Sequence, residues 1–113
     1  MFKKIRQILY RSVDNKEISY DILKKLTKDN EVMLIDVRSN QEYEEGHLNG
    51  AINISVYNLK NEIENLVKNK EKLIILYCSS GHRSKKAKEI LENLGYTNVY
   101  NLKNGIDDLW IKG

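Results

Sequence analysis

The sequence lacks proline altogether and has a single cysteine among its 113 residues. One cysteine cannot form an internal disulfide, which excludes a disulfide-stapled scaffold. No apolar run reaches the roughly 18 residues that a membrane-spanning helix needs, and no early stretch has the pattern of a secretion signal. A chain of this length holds one modest hydrophobic core. We therefore expect a single domain in a reducing, cytoplasmic setting.

Neither sign of charge dominates, because the sequence has 19 Lys and Arg residues and 16 Asp and Glu residues, which leaves a net charge of +3. The basic residues alternate with acidic ones and form no recognised nucleic-acid motif. We expect a solvated surface of mixed charge and no nucleic-acid partner.

Residues 1–15 place four apolar side chains at helical spacing beside basic ones. They are expected to form an N-terminal extension, helical in character, ahead of a domain over residues 16–113. A basic amphipathic membrane anchor is the alternative, but the segment is very short for that role. Membrane attachment is therefore not expected.

Continuous apolar runs predict buried strands at Val32–Val37 and Leu73–Tyr77, because they lack the alternation of a half-exposed strand. Shorter strands are expected at 51–54 and 98–102. Helical periods lie between the strands, and a capping box at Ser39 predicts a short helical turn. This alternation predicts an α/β fold, a three-layer sandwich with a mainly parallel central sheet flanked by helices. The expected helices begin near Ser19, run over 57–69 and 84–94 with Gly95 at the end of the latter, and close the chain after Gly105.

The only cysteine, Cys78, directly follows the second apolar run. Ligands of open α/β sheets bind beyond the carboxyl ends of the strands, so this position suits a site. If Ser84 opens the next helix, the intervening residues curl around the sulfur and present backbone N–H groups and the positive helix end. Such a cradle favours a thiolate nucleophile. Arg83 adds a permanent positive charge that can pair with an anionic substrate, and Gly81 supplies backbone freedom.

An inert, buried thiol at the end of a core strand is the alternative for Cys78. The small residues, glycine and arginine that follow it have no obvious packing purpose, which favours a reactive thiol. One cysteine with two scattered histidines, His47 and His82, does not predict a zinc site, and neither histidine has a visible carboxylate partner. No metal and no cofactor are expected.

From Ile18 to Trp110 the sequence resembles the rhodanese-like family. The loop Cys78–Arg83 is similar to the six-residue active-site loop that begins with the catalytic cysteine of that family, and Leu34–Arg38 is similar to its DVR strand end. The stretch Tyr43–Ile54 resembles the aromatic, His, Gly-Ala signature, and the segments 94–102 and 105–110 resemble the closing part. Asn49 stands where proline is usual, and Asn104 stands where the first of two glycines is common. Asn104 is expected to be a mild departure, since Asn tolerates left-handed backbone, and the loss of proline at Asn49 is expected to cost loop rigidity more than chemistry.

The resemblance implies sulfur transfer. The Cys78 thiolate would take a sulfane sulfur from thiosulfate or another persulfide donor, hold it as a persulfide and give it to a thiol, to cyanide or to a sulfur-accepting protein. Arg38 and Glu42 are expected to form a structural pair, and His47 to order its turn. The expected substrate-binding residues are Ser79, Ser80, Gly81, His82, Arg83 and Ser84, and the expected supporting residues are Asp36, Arg38, Glu42 and His47.

Three other functions stay open at the level of sequence. A phosphatase or arsenate reductase of related fold uses a cysteine loop one residue longer than the one here. A non-catalytic rhodanese-like module would bind or regulate a partner protein, although such modules commonly lack the cysteine. A persulfide carrier would keep the chemistry and deliver sulfur to a partner enzyme.

Overall fold

A computed structural model of the chain describes residues 16–29 and 31–112. The predicted N-terminal extension, residues 1–15, lies outside the described residues. Within them, five parallel strands form one sheet in the order β1-β5-β4-β2-β3. The elements in chain order are β1 (Glu17–Ile18), α1 (Tyr20–Leu26), β2 (Met33–Asp36), α2 (Asn40–Glu45), β3 (Ile52–Asn53), α3 (Val56–Leu66), β4 (Ile74–Tyr77), α4 (His82–Asn93), β5 (Val99–Leu102) and α5 (Asp107–Lys112).

The two continuous apolar runs form neighbouring strands at the centre of the sheet, as predicted. Strands β2 and β4 pair in parallel along their whole length, and Asp36 lies opposite Tyr77 at their carboxyl ends. The polypeptide after β2 and the polypeptide after β4 therefore leave the sheet side by side. This register brings the segment after Asp36 next to Cys78.

Side chains of β4 alternate between two hydrophobic clusters, one on each face of the sheet. Ile74 and Leu76 pack with buried residues of α3 and α4, whereas Ile75 and Tyr77 pack with those of α1. All four are fully buried, which explains why the sequence shows a continuous apolar run. The three-layer sandwich with a parallel sheet is confirmed.

Helix α4 begins at His82, two residues before the predicted start at Ser84. Gly81 precedes it with φ = 99°, a left-handed conformation that glycine adopts without steric cost. Helix α3 ends at Leu66 instead of Asn69, because Val67 already has extended backbone. The capping box at Ser39 and the left-handed Gly95 after α4 are confirmed.

None of the helices in the described ranges combines the length and the apolar character needed to cross a bilayer.

Candidate active site

Cys78 leaves the carboxyl end of β4 and lies beneath the first turn of α4. Its Sγ accepts hydrogen bonds from the backbone N–H groups of Gly81, at 3.1 Å, and Ser84, at 3.4 Å. The hydroxyl of Ser84 lies 3.5 Å from the same sulfur and donates to the Gly81 carbonyl. These donors occupy the positive end of a helix, so they stabilise negative charge on the sulfur.

The thiol is more enclosed than the sequence suggested. Cys78 is only 1% exposed and belongs to the hydrophobic cluster that also contains Ala87 of α4. The early start of α4 brings its first turn directly over the sulfur, which leaves a short cover made of Ser79, Ser80 and Gly81.

A segment after β5 closes the cysteine loop from its other side. The N–H groups of Ile106 and Asp107 donate to the carbonyl oxygens of Cys78 and Ser79, each at 3.0 Å. Gly105, with φ = 69°, packs so closely that a Cβ there would lie 2.2 Å from the Ser79 carbonyl oxygen. Asn104 has φ = 65°, the left-handed conformation expected of an asparagine at this position. Residues 104–107 are called the closing segment below.

Glu42 of α2 holds the side chain of Arg83 by two parallel contacts. Nη1 of Arg83 donates to Oε1 at 2.6 Å, and Nη2 donates to Oε2 at 2.9 Å. Ser79 Oγ joins the pair, at 3.3 Å from Oε2 and 3.2 Å from Nη2. The Arg83 guanidinium lowers the pKa of Glu42 well below its usual range, and Glu42 raises the pKa of Arg83 in turn. Both side chains are therefore charged at neutral pH.

Asp36 and Arg38 form a second, deeper ion pair under the same edge of the sheet. Arg38 Nη2 lies 2.7 Å from Asp36 Oδ2 and donates to the Gly46 carbonyl at 2.6 Å. Burial opposes the charge of Arg38, but the contacts with Asp36 outweigh it and raise the pKa of the guanidinium. The direct ion pairs join Arg38 to Asp36 and Glu42 to Arg83, and Glu42 acts on Arg38 electrostatically without replacing Asp36 as its ion-pair partner. Sequence spacing could not predict these partners.

Tyr77 is a buried polar residue of this region that sequence reasoning missed. Its hydroxyl accepts a hydrogen bond from the Leu48 N–H at 3.0 Å, and burial raises the pKa of the phenol well above its usual value. Its ring lies 5.9 Å from the Arg38 guanidinium carbon, within cation–π distance. The only signal in the sequence was a tyrosine at the end of an otherwise aliphatic run.

Two histidines lie at the surface near the site. His82 Nδ1 is 3.0 Å from Ser80 Oγ, and both residues are exposed at the rim of the loop. His47 stacks on Tyr43 with ring centroids 3.7 Å apart, and its Nδ1 lies 2.8 Å from the Tyr43 carbonyl oxygen. These contacts place His47 in the turn after α2. Among the described residues, no cluster of His, Cys, Asp and Glu side chains could hold a metal ion.

A polar cleft of about 380 Å³ opens beside Arg83. Its walls come from the ends of β2 and β3 and from the first turns of α2 and α3. Cys78 does not line the cleft. Arg83 is the lining residue that belongs to the cysteine loop. The lining residues are Val37, Ser39, Asn40, Asn53, Ile54, Ser55, Val56, Tyr57, Asn58, Glu62 and Arg83.

Comparison with known proteins matches residues 19–112 to the family model described as rhodanese-like domain. A thiosulfate sulfurtransferase of Escherichia coli, PspE, is 41% identical over 75 residues, which are 66% of this chain and 71% of that protein. A tRNA uridine(34) hydroxylase of Erwinia tasmaniensis is 34% identical over 82 residues, but the match spans only 23% of its length. The solved structure of the human single-domain sulfurtransferase TSTD1 superposes with a TM-score of 0.76 at 25% identity and covers 88% of this chain and 99% of that one.

Proposed function

This chain belongs to the rhodanese-like domain family, and on that premise we propose that it is a sulfurtransferase that works through a Cys78 persulfide. The observation that carries the proposal is the position of the sulfur, which accepts N–H groups of Gly81 and Ser84 at the start of α4. An inert core thiol needs no such donors. The name of the PspE relative supports thiosulfate as one donor.

The proposed reaction has two steps. The Cys78 thiolate attacks the outer sulfur of thiosulfate, the S–S bond of the donor breaks, and sulfite leaves with the bonding electron pair. The persulfide of Cys78 then carries the transferred sulfur with its negative charge. In the second step, an acceptor thiolate or cyanide attacks that outer sulfur, which yields a persulfide or thiocyanate and restores the Cys78 thiolate. The reaction requires no cofactor.

The loop residues divide into backbone donors and side-chain supports. Gly81 and Ser84 hold the inner sulfur through their N–H groups, and the amides of the intervening residues are proposed to receive the outer sulfur. Ser80 and His82 stand exposed at the rim, where a donor would arrive. Ser79 and Arg83 are tied to Glu42, which fixes the shape of the cover. Asp36, Arg38 and His47 are proposed to support the surrounding turns.

A reducing, cytoplasmic setting is part of the proposal, because the cycle must start from a free thiolate.

The tRNA hydroxylase relatives match over too little of their length for their activity to be proposed for this chain. A persulfide carrier shares the first step with an enzyme and differs in the second. It would load Cys78 but deliver sulfur only to a partner protein.

Intact mass spectrometry after incubation with thiosulfate tests the proposal. We expect a gain of one sulfur atom, its loss on addition of cyanide, and neither change in Cys78→Ser. Serine is nearly isosteric and can accept the same N–H groups, so the variant should stay folded, with a melting temperature within several degrees of the native value.

Four results would count against the proposal in different ways. Failure to load with thiosulfate and with an alkyl persulfide would overturn sulfur transfer and favour a binding module. Loading that survives Cys78→Ser would exclude Cys78 as the carrier atom. Loading without turnover to cyanide or small thiols would indicate a carrier. Steady hydrolysis of an aryl phosphate that Cys78→Ser abolishes would instead favour the phosphatase alternative.

A further inference from the structure

Arg83 is the only permanently charged side chain between Cys78 and Ser84. Both of its terminal nitrogens are taken up by the Glu42 carboxylate, and Nη2 also contacts Ser79. A guanidinium recognises an anion through these same nitrogens. As long as the pair is intact, Arg83 presents little charge to a molecule that approaches the loop.

Glu42 is itself held in place, so it is not a loose counter-ion. It closes the capping box of α2, in which its Oε1 accepts the Ser39 N–H at 3.1 Å and the Ser39 hydroxyl at 3.0 Å. The Glu42 N–H in turn donates to the Ser39 hydroxyl at 3.2 Å. The carboxylate therefore reaches Arg83 from a fixed position on a neighbouring helix.

The deeper cation of this edge is neutralised in the same way, because Arg38 pairs with Asp36. The lining of the cleft beside Arg83 contains one cation, Arg83, and one carboxylate, Glu62. Arg83 is already paired with Glu42, so Glu62 adds a further negative charge beside it, and the carboxylates named here outnumber the two arginines by one. A dianion gains little from such surroundings, and a negatively charged sulfur nucleophile repels it.

We propose that Glu42 is a specificity-determining residue, which holds the Arg83 charge away from the donor and so favours persulfide donors of low charge over dianionic thiosulfate. This inference rests on the proposed sulfur transfer. It also changes the role that the sequence suggested for Arg83, from a contact for anionic substrates to the partner of a carboxylate. Thiosulfate remains a usable donor, but a weaker one than the same loop would accept with a free arginine.

The substitution Glu42→Gln tests the proposal, because glutamine preserves the capping-box pattern and removes the charge. The measurement is the rate of Cys78 loading, followed by intact mass spectrometry, with thiosulfate and with 2-hydroxyethyl persulfide as alternative donors. We expect the thiosulfate-to-persulfide ratio of loading rates to rise on the order of tenfold, because one charge-assisted contact becomes available.

Two further variants show whether the change in the ratio of loading rates comes from the Arg83 charge. Glu45→Gln removes the same charge from the same helix without touching the pair, and it should leave the ratio within about twofold of the native value, since exposed charges are screened. In the double variant Glu42→Gln with Arg83→Gln, the gain should disappear. A gain that persists without Arg83 would contradict the proposal.

An unchanged ratio in Glu42→Gln, or an equal fall with both donors, would show that Glu42 only shapes the loop and would overturn the inference. If Glu42→Gln lowers the folded fraction, Glu42→Asp replaces it. Its shorter carboxylate cannot hold both guanidinium nitrogens in the same geometry, so the ratio should rise by a smaller factor, and no rise would again overturn the inference. Failure of every donor to load native Cys78 is a different result, since it removes the proposed function itself.

Discussion

Asp36 and Arg38 hold opposite charges almost completely out of water, with side-chain exposures of 0% and 3%. Removing one member of a buried pair leaves the other charge without its counter-ion, which is more costly than losing an ordinary contact. Asp36 ends β2 opposite Tyr77 of β4, and Arg38 follows it, so this cost would fall on the backbone next to the site.

We expect Asp36→Asn to lower the free energy of unfolding by about 3–5 kcal/mol, because the buried Arg38 charge loses its carboxylate. The midpoint of urea unfolding, at unchanged slope, measures this loss. Asp21→Asn is the matched control, since the pair of Asp21 with Lys24 is exposed at 3.7 Å and should contribute at most about 1 kcal/mol. Equal effects of the two substitutions would contradict the role assigned to Asp36.

The Glu42–Arg83 pair should make stability depend on pH in acid. Because Arg83 lowers the pKa of Glu42, the folded protein releases this proton more readily than the unfolded chain does. The contribution is therefore present above the pKa of an unfolded glutamate, about 4.3, and is lost as the pH falls through the lowered value.

The native protein should be more stable than Glu42→Gln at pH 7, and the difference should shrink as the pH falls below about 4. Thermal unfolding of both proteins across this range provides the measurement. A stability difference that stays constant down to the acid limit would mean that the pair does not stabilise the fold through its charge.

The closing segment shows how an element with little regular structure determines the geometry of the loop. Gly105 lies against the Ser79 carbonyl in a backbone conformation that other residues rarely adopt. Asn104 has the same left-handed conformation and already carries a Cβ. At Gly105, an added Cβ would lie within 3 Å of the Ser79 backbone. Substitutions at the two neighbouring positions therefore distinguish the cost of left-handed backbone strain from the cost of a steric clash.

Gly105→Ala should abolish Cys78 loading and destabilise the fold by several kcal/mol, since strain adds to a clash with fixed backbone. Asn104→Ala should cost about 1 kcal/mol and keep most of the loading activity, because it adds only left-handed strain. Loading rates together with urea midpoints give both quantities. Equal behaviour of the two variants would mean that the close approach at Gly105 has no influence on the site.

Helices and strands were predicted correctly where a local sequence pattern follows directly from burial or from capping contacts. The continuous apolar runs predicted β2 and β4 because both faces of those strands are covered, and the capping box predicted α2 because its contacts are local. The start of α4 was placed two residues late, since Gly81 caps the helix by its backbone conformation and offers no side-chain signal. The predicted loop was therefore two residues longer than the loop in the structure.

At the scale of the whole molecule, the sequence predicted the class of fold and the position of the thiol but not the contacts that enclose it. Glu42 and Arg83 are 41 residues apart, and the capping-box spacing of Glu42 already explained its presence in α2. The hydrogen bond from the Ile106 N–H to the Cys78 carbonyl likewise depends on the pairing of β4 with β5 in the sheet. Contacts of this kind follow from three-dimensional register, which no local pattern encodes.

The position of the closing segment in the chain also matters during synthesis. The ribosome releases Cys78 well before Ile106 and Asp107, whose N–H groups hold the carbonyls of the cysteine loop. At elongation rates of about 5–20 residues per second, these two N–H groups are added to the polypeptide seconds after Cys78. The cysteine loop can therefore take its final geometry only after nearly all of the described residues have been synthesised.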